Sequence, residues 1–136
     1  MSMKMTFLAA VWVATSAASA SASDAESAYE SGRFAEALAL FEERGLEGDV
    51  RAQELVGMMH LVGPALYGED IAADPACAAR WFRAAALNGS TTSQFVLAHM
   101  YKSGVGVAAN AARAEALLAE ATGSNAVATR LITVRR

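Results

Sequence analysis

The 136-residue chain holds a single cysteine, Cys77, and two prolines, Pro64 and Pro75. One thiol cannot close an internal disulfide, so a disulfide-stapled fold is excluded and stability must come from packing. Positive charge is also in short supply, with 11 Lys and Arg against 14 Asp and Glu for a net charge of −3. A mildly acidic chain without a basic stripe is a poor nucleic-acid binder, because phosphate neutralisation supplies most of that affinity. Few β-branched runs occur, which leaves little to build strands from. His60 and His99 are the only histidines, and no His/Cys/Asp cluster has metal-ligand spacing, so neither a metal nor a cofactor is expected. No apolar run reaches the ~20 residues that a membrane span needs.

The longest apolar run, FLAAVWVA at residues 7–14, follows Lys4 and precedes the small-residue stretch TSAASASAS. That order is the layout of a secretory signal peptide. Ala18-Ser19-Ala20 and Ala20-Ser21-Ala22 both fit the A-x-A cleavage pattern, so residues 1–22 read as a signal peptide cut after Ala20 or Ala22. The run is too short for an uncleaved anchor, and no cysteine near the cut invites lipidation. The expected destination is the periplasm, or secretion, with no stable membrane insertion after cleavage. Charge is uneven along the remainder. Residues 24–54 hold nine acids against Arg33, Arg44 and Arg51. From residue 99 onward Lys102, Arg113, Arg130, Arg135 and Arg136 outnumber Glu115 and Glu120.

What the chain does have is helical periodicity broken by Gly and Asn. Helices are expected over 24–31 and 34–44, with Ser23 or Asp24 as first cap and Gly32 between them. Phe34, Ala37, Leu38 and Phe41 share one face of the second, and Gly45 and Gly48 close the unit. A third helix, 50–62, is capped by Asp49 and presents Ala52, Leu55, Val56 and Met59. Residues 63–73, GPALYGEDIAA, form the longest connection. A fourth helix opens with Asp74 as cap and Pro75 in its first turn, turns Ala78, Trp81, Phe82 and Ala85 inward, and ends at Gly89. A fifth, 91–103, carries Val96, Leu97, Met100 and Tyr101, and a sixth runs from the Asn110 cap through Ala121. A last, weak helix over 125–134 has a Val127, Leu131, Val134 stripe suited to capping a stack.

Self-comparison is the most informative test. AQELVGMMHLVG (52–63) lies over SQFVLAHMYKSG (93–104) at a constant offset of 41. Gln53 meets Gln94, Met59 meets Met100, His60 meets Tyr101 and Gly63 meets Gly104. Beyond the glycine the offset is 36, so Asp74 meets Asn110, Ala78 meets Ala114 and Trp81 meets Leu117. The five extra residues of the first copy all fall in 64–73. An insertion confined to a connection leaves helix–helix contacts untouched, which a two-helix repeat tolerates.

These residues resemble the Sel-one-like repeat, a relative of the tetratricopeptide repeat, with the pattern A-x-x-x-L-G-x-x-Y-x-x-G-x-G-V, then D, then A-x-x-W-x-x-A-A and a closing G. The second copy matches through Leu97, Ala98, Tyr101, Gly104, Gly106, Val107, Ala114 and Ala121. The first matches through Ala52, Gly57, Gly63, Asp74, Ala78, Trp81, Ala84, Ala85 and Gly89. Segment 28–48 looks like the back half of a tetratricopeptide unit, through Gly32, Phe34, Ala37, Leu38 and Phe41. His60 stands at the tyrosine position, Leu117 at the tryptophan and Asn110 at the aspartate. The resemblance implies an all-α fold, a short α-solenoid of antiparallel helix pairs: a degenerate pair at 23–48, repeats at 49–89 and 90–123, and a capping helix at 124–136.

Chemistry-bearing motifs are thin. Cys77 sits at a helix start, where the dipole could lower a thiol pKa, but it has no His or Asp partner near it in sequence. Ser93 and Ser103 lack an elbow or a base. GEDIAAD lacks the alternating oxygen ligands of an EF-hand, SGVGV lacks the G-K-[ST] of a phosphate loop, and there is no S-x-x-K. Cysteine-rich members of the family include weak β-lactamases or penicillin binders, but those carry paired cysteines in each repeat. A non-enzymatic interaction module is therefore expected, with a protein or peptide as partner; a small subunit docking on a membrane complex is the other alternative. The resemblance places the partner groove on the first helix of each pair: Arg51, Glu54, Met58 and Leu61 from one copy, Thr92, Phe95, His99 and Lys102 from the next. His60 is expected in the core.

Overall fold

In the computed structural model the described residues are 22–123, and among them every regular element is a helix. Helix α1 covers 22–30, followed by α2 (Phe34–Leu46), α3 (Val50–Val62), the short α4 (Pro64–Tyr67), α5 (Pro75–Leu87), α6 (Thr91–Ser103) and α7 (Ala111–Ala121). Packing is sequential: α2 lies on α3, α3 on α5, α5 on α6 and α6 on α7. Such neighbour-to-neighbour contact is what makes a solenoid, since no helix pair buries its apolar face alone. The signal peptide expected over 1–22 falls almost wholly outside the described residues, and the capping helix expected over 124–136 does so entirely. No helix among the described residues is long and apolar enough to cross a membrane.

Side-chain caps set where the helices begin. Asp49 accepts from the Ala52 N–H at 3.1 Å, Asp74 from Cys77 at 3.0 Å, Ser90 from Ser93 at 3.0 Å and Asn110 from Arg113 at 3.0 Å. Each satisfies an amide that the first turn leaves unpaired, a contribution of roughly 1 kcal/mol. Asp49 and Ser90 stand 41 apart and Asp74 and Asn110 stand 36 apart, the two offsets of the repeat. The helix ends match too. Gly63 donates to the Met59 carbonyl at 2.9 Å, and Gly104 to the equivalent Met100 carbonyl at 2.8 Å. Then Asp74 N–H donates to the His60 carbonyl at 2.8 Å, and Asn110 N–H to the Tyr101 carbonyl at 2.8 Å. Two connections of unequal length thus end on the same hydrogen bond.

Apolar burial forms two adjoining clusters. Toward the N-terminus, Ala25, Ala28, Ala37, Phe41, Ala52, Val56 and Met59 are buried with Tyr67 and Ile71, and Tyr29, Phe34 and Trp81 pack against them. The rings meet edge-on, Tyr29 with Phe34 at 5.5 Å and Phe34 with Tyr67 at 5.2 Å between centroids, the geometry that sets a ring's positive edge against a negative face. Toward the C-terminus Ala78, Ala79, Phe82, Leu97, Ala98, Met100, Tyr101 and Ala114 are buried together. Small residues let the helices close in. A Cβ on Gly57 would stand 2.9 Å from the Phe82 ring, so that glycine is what admits Phe82 between α3 and α5.

Two expectations need correction. Helix α1 is already formed at residue 22, so neither Ser23 nor Asp24 caps it. Gly45 does not end α2 but lies buried inside it, where a Cβ would come within 2.7 Å of the Trp81 ring; the helix stops at Leu46 and Gly48 makes the turn at φ +98°. The connection 63–73, for its part, folds α4 and delivers Tyr67 and Ile71, 5% and 1% exposed, into the N-terminal cluster.

Candidate partner-binding groove

Helices α3 and α6, the first helices of equivalent pairs, together wall one open depression of about 510 Å³. Its lining is Met58 and Leu61 from α3, Phe95, Val96, His99, Met100 and Ser103 from α6, and Val105 from the turn beyond. Phe95, His99 and Ser103 recur every fourth residue, so they stand on one stripe of α6. Phe95 is 45% exposed and Val105 42%, large apolar surface that the folded chain leaves uncovered. Side-chain polarity at the walls comes from the His99 imidazole and the Ser103 hydroxyl, which already donates to the His99 carbonyl at 2.8 Å. Such a surface can bury apolar side chains; it offers little to activate a water or hold a cation.

Of the eight groove residues taken from the repeat pattern, the depression gathers Met58, Leu61, Phe95 and His99. Arg51, Thr92 and Lys102 are exposed and line no part of it. Glu54 is engaged elsewhere, accepting from the Ser90 hydroxyl and so tying α3 to the start of α6. Val96, Met100, Ser103 and Val105 were not expected there. The first two were assigned to the core, and their edges reach the depression. Val105 arrives because the chain turns at Gly104 in the left-handed region, φ +71° and ψ 28°, a bend periodicity does not encode.

Several polar groups lie outside the depression. His60 is half-buried beside α2, with Nε2 3.3 Å from Glu42 Oε1 and a buried Nδ1 that has no hydrogen-bond partner. Cys77 is half-buried, and its backbone N–H donates to the Asp74 carboxylate that caps its helix. The buried Ser93 hydroxyl has no partner, in a position where the other copy has Ala52. Gln53, 5% exposed, donates to the Gly45 carbonyl at 2.9 Å and accepts from Asn88 at 3.4 Å, stitching the ends of α2 and α5 to α3. Arg44 reaches Asp49 with two nitrogens, at 3.0 and 2.6 Å, and lies over the Phe41 ring. Burial pushes the Asp49 carboxyl up, but the Ala52 amide and the Arg44 guanidinium outweigh it and hold the group below its ordinary value. Tyr67 goes the other way. Burial and the neighbouring Tyr29 hydroxyl, 3.3 Å from its own, push its phenol up to about 12.

No family model matches the chain, and no curated protein does. Solved structures do. A Sel1 repeat protein from Oxalobacter formigenes superposes with a TM-score of 0.59 at 25% identity, covering 67% of this chain and 66% of that one. A protective antigen present in uropathogenic Escherichia coli strains, displaying an SLR fold, superposes with a TM-score of 0.60 at 26% identity, over 68% of this chain and 19% of that one. The chain therefore spans just under two thirds of the first relative and about a fifth of the second. With the repeat offsets, the paired caps and the equal closing bonds, these likenesses show that the described residues share the fold of Sel1-like repeat proteins, an all-helical solenoid.

Proposed function

We propose that this protein is a non-enzymatic interaction module of the cell envelope whose α3–α6 depression receives an amphipathic helix from a protein partner. The observation that carries this is the uncovered apolar surface of Phe95 and Val105 beside Met58 and Leu61. A volume of about 510 Å³ suits two or three apolar side chains at i, i+3 and i+4 of a docked helix. Arg51, Thr92 and Lys102, exposed on the same two helices, are available to a partner longer than the depression, and Sel1-like folds typically serve as protein-binding scaffolds. In this reading the working units are the pair at 23–48 and the repeats at 49–89 and 90–123, and the leader is removed on export. Cleavage after Ala20 fits better than after Ala22, because the Ala22 carbonyl accepts from Arg44 at 3.4 Å within α1. The single, half-buried Cys77 supports a β-lactamase reading poorly.

Site-specific photocrosslinking tests the proposal. A crosslinker at Phe95 should capture one protein in stoichiometric yield, whereas one at exposed Arg80 should not. Leu61→Asp with Phe95→Asp should abolish capture while leaving the helical circular dichroism unchanged. Equal capture from both positions, or turnover of nitrocefin by the purified chain, would overturn the reading.

A further inference from the structure

A second depression, of about 430 Å³, opens on a different side of the last repeat and shares no residue with the apolar one. It is lined by Arg83, Tyr101, Arg113 and the 107–110 turn. Arg83 Nη2 and Arg113 Nη1 each donate to the Tyr101 hydroxyl oxygen at 3.0 Å, so the two nitrogens lie at most twice that distance apart. The Arg113 guanidinium also sits over the Tyr101 ring, 5.6 Å from its centroid.

Two like charges brought this close repel unless an anion compensates them. None does so among the described residues. All 14 acidic residues fall between 24 and 120, inside the described residues, and none lies within ion-pairing distance of Arg83 or Arg113. Glu120 lines an adjoining hollow with both arginines but pairs with neither. The contrast with the preceding copy is direct. Forty-one residues earlier, Arg83 is replaced by Glu42 and Tyr101 by His60, and these two are paired. The Tyr101 oxygen has two N–H donors already, which leaves its own O–H to point at a ligand, alongside the remaining guanidinium N–H groups.

We propose that Arg83, Arg113 and the Tyr101 hydroxyl form an oxyanion site that takes a phosphate dianion, as free phosphate or as a phosphate monoester. Two uncompensated positive charges match the −1.5 to −2 of a phosphate group at neutral pH better than the single charge of a carboxylate, and guanidinium forks suit bidentate bonding to it. The 107–110 turn closes one wall, and both arginines are exposed enough for a ligand to reach them. Burial pushes the Tyr101 phenol up, but the bonds from Arg113 and Arg83 outweigh it and lower it.

The test is a titration of the isotopically labelled chain with inorganic phosphate, with sodium acetate at matched ionic strength as the control. Phosphate should shift the guanidinium Nε–H resonances of Arg83 and Arg113 saturably, and acetate should not. Arg83→Gln and Arg113→Gln should each weaken phosphate binding by roughly tenfold or more, and Glu120→Gln should tighten it. Should one variant misfold, the other decides alone. Glycerol phosphate against phosphatidic acid vesicles separates a soluble ester from a lipid headgroup; binding of either that Arg83→Gln abolishes supports the site. A response that is unsaturable, matched by acetate, or intact in Arg83→Gln overturns it.

Discussion

The turns that leave Gly63 and Gly104 start from equivalent helix ends and finish on equivalent hydrogen bonds, yet they serve opposite ends of the protein's chemistry. The first is the longer. Its extra residues fold α4 and sink Tyr67 and Ile71 into an aromatic cluster with Tyr29, Phe34 and Phe41, and the residue at its root, His60, is paired with Glu42. The second is lean. It buries no aromatic of its own, and the residue at its root, Tyr101, is ringed by two unpaired arginines. One turn has been spent on stability, the other left open to solvent and charged. Equivalent backbone does not impose an equivalent role; the side chains hung on it decide.

Removing what only the first turn buries should have the largest effect. Tyr67→Ala is expected to destabilise the chain by roughly 3–5 kcal/mol, the range for truncating a buried aromatic, measured by urea unfolding. A loss below ~1 kcal/mol would mean the insertion is decoration. The two glycines come next. Gly63 has φ +57° and ψ −134°, and a Cβ there would stand 2.7 Å from the Ala73 backbone, whereas Gly104 is left-handed with its nearest neighbour, the Ala73-equivalent Ala109, at 3.4 Å. Gly63→Ala should therefore cost about 2–3 kcal/mol and Gly104→Ala about 1 kcal/mol. Equal costs would erase the distinction between the turns.

The tyrosines give a finer comparison. Tyr67, raised to about 12, favours its neutral form, so its contribution to stability is complete below the ordinary value near 10 and is lost as pH climbs from there through about 12. Tyr101, lowered, favours its ionised form, so its contribution is present above the ordinary value and disappears as pH falls through its own. Absorbance at alkaline pH should show Tyr101 ionising before Tyr67. Tyr101→Phe should delete the early step and Tyr67→Phe the late one; the reverse order would contradict both environments. Smallest of all is Ser93→Ala, which copies Ala52 and removes a buried hydroxyl without a partner. It should change stability by no more than about 0.5 kcal/mol, toward greater stability.

Much of this architecture is legible in the sequence because Gly, Asp and Asn punctuate it at fixed intervals. The boundaries of α3, α6 and α7 and the caps at Asp49, Asp74 and Asn110 follow from residue type alone. The offset of 41 reaches further back than the quoted match. It carries α2 onto α5, with Ala37 over Ala78 and Phe41 over Phe82. The flanking residues there differ too much for the register to stand out. Gly45 reads as a helix stop because nothing local announces the Trp81 ring that lies over it. The depression was half visible: the groove positions implied by the repeat resemblance include Met58, Leu61, Phe95 and His99, but Val105 depends on a bend. The paired arginines were invisible, since Arg83 and Arg113 are 30 residues apart and meet only through a tyrosine on a third helix.

The bond from Asp74 to His60, and its counterpart from Asn110 to Tyr101, behaves like a drawstring. Whatever chain lies between the knot and the glycine can lengthen, fold or vary while the two helices keep their spacing and tilt. New segments could enter at these points without disturbing the pitch of the array, so the places where such a solenoid diversifies are written into its backbone before any partner is met.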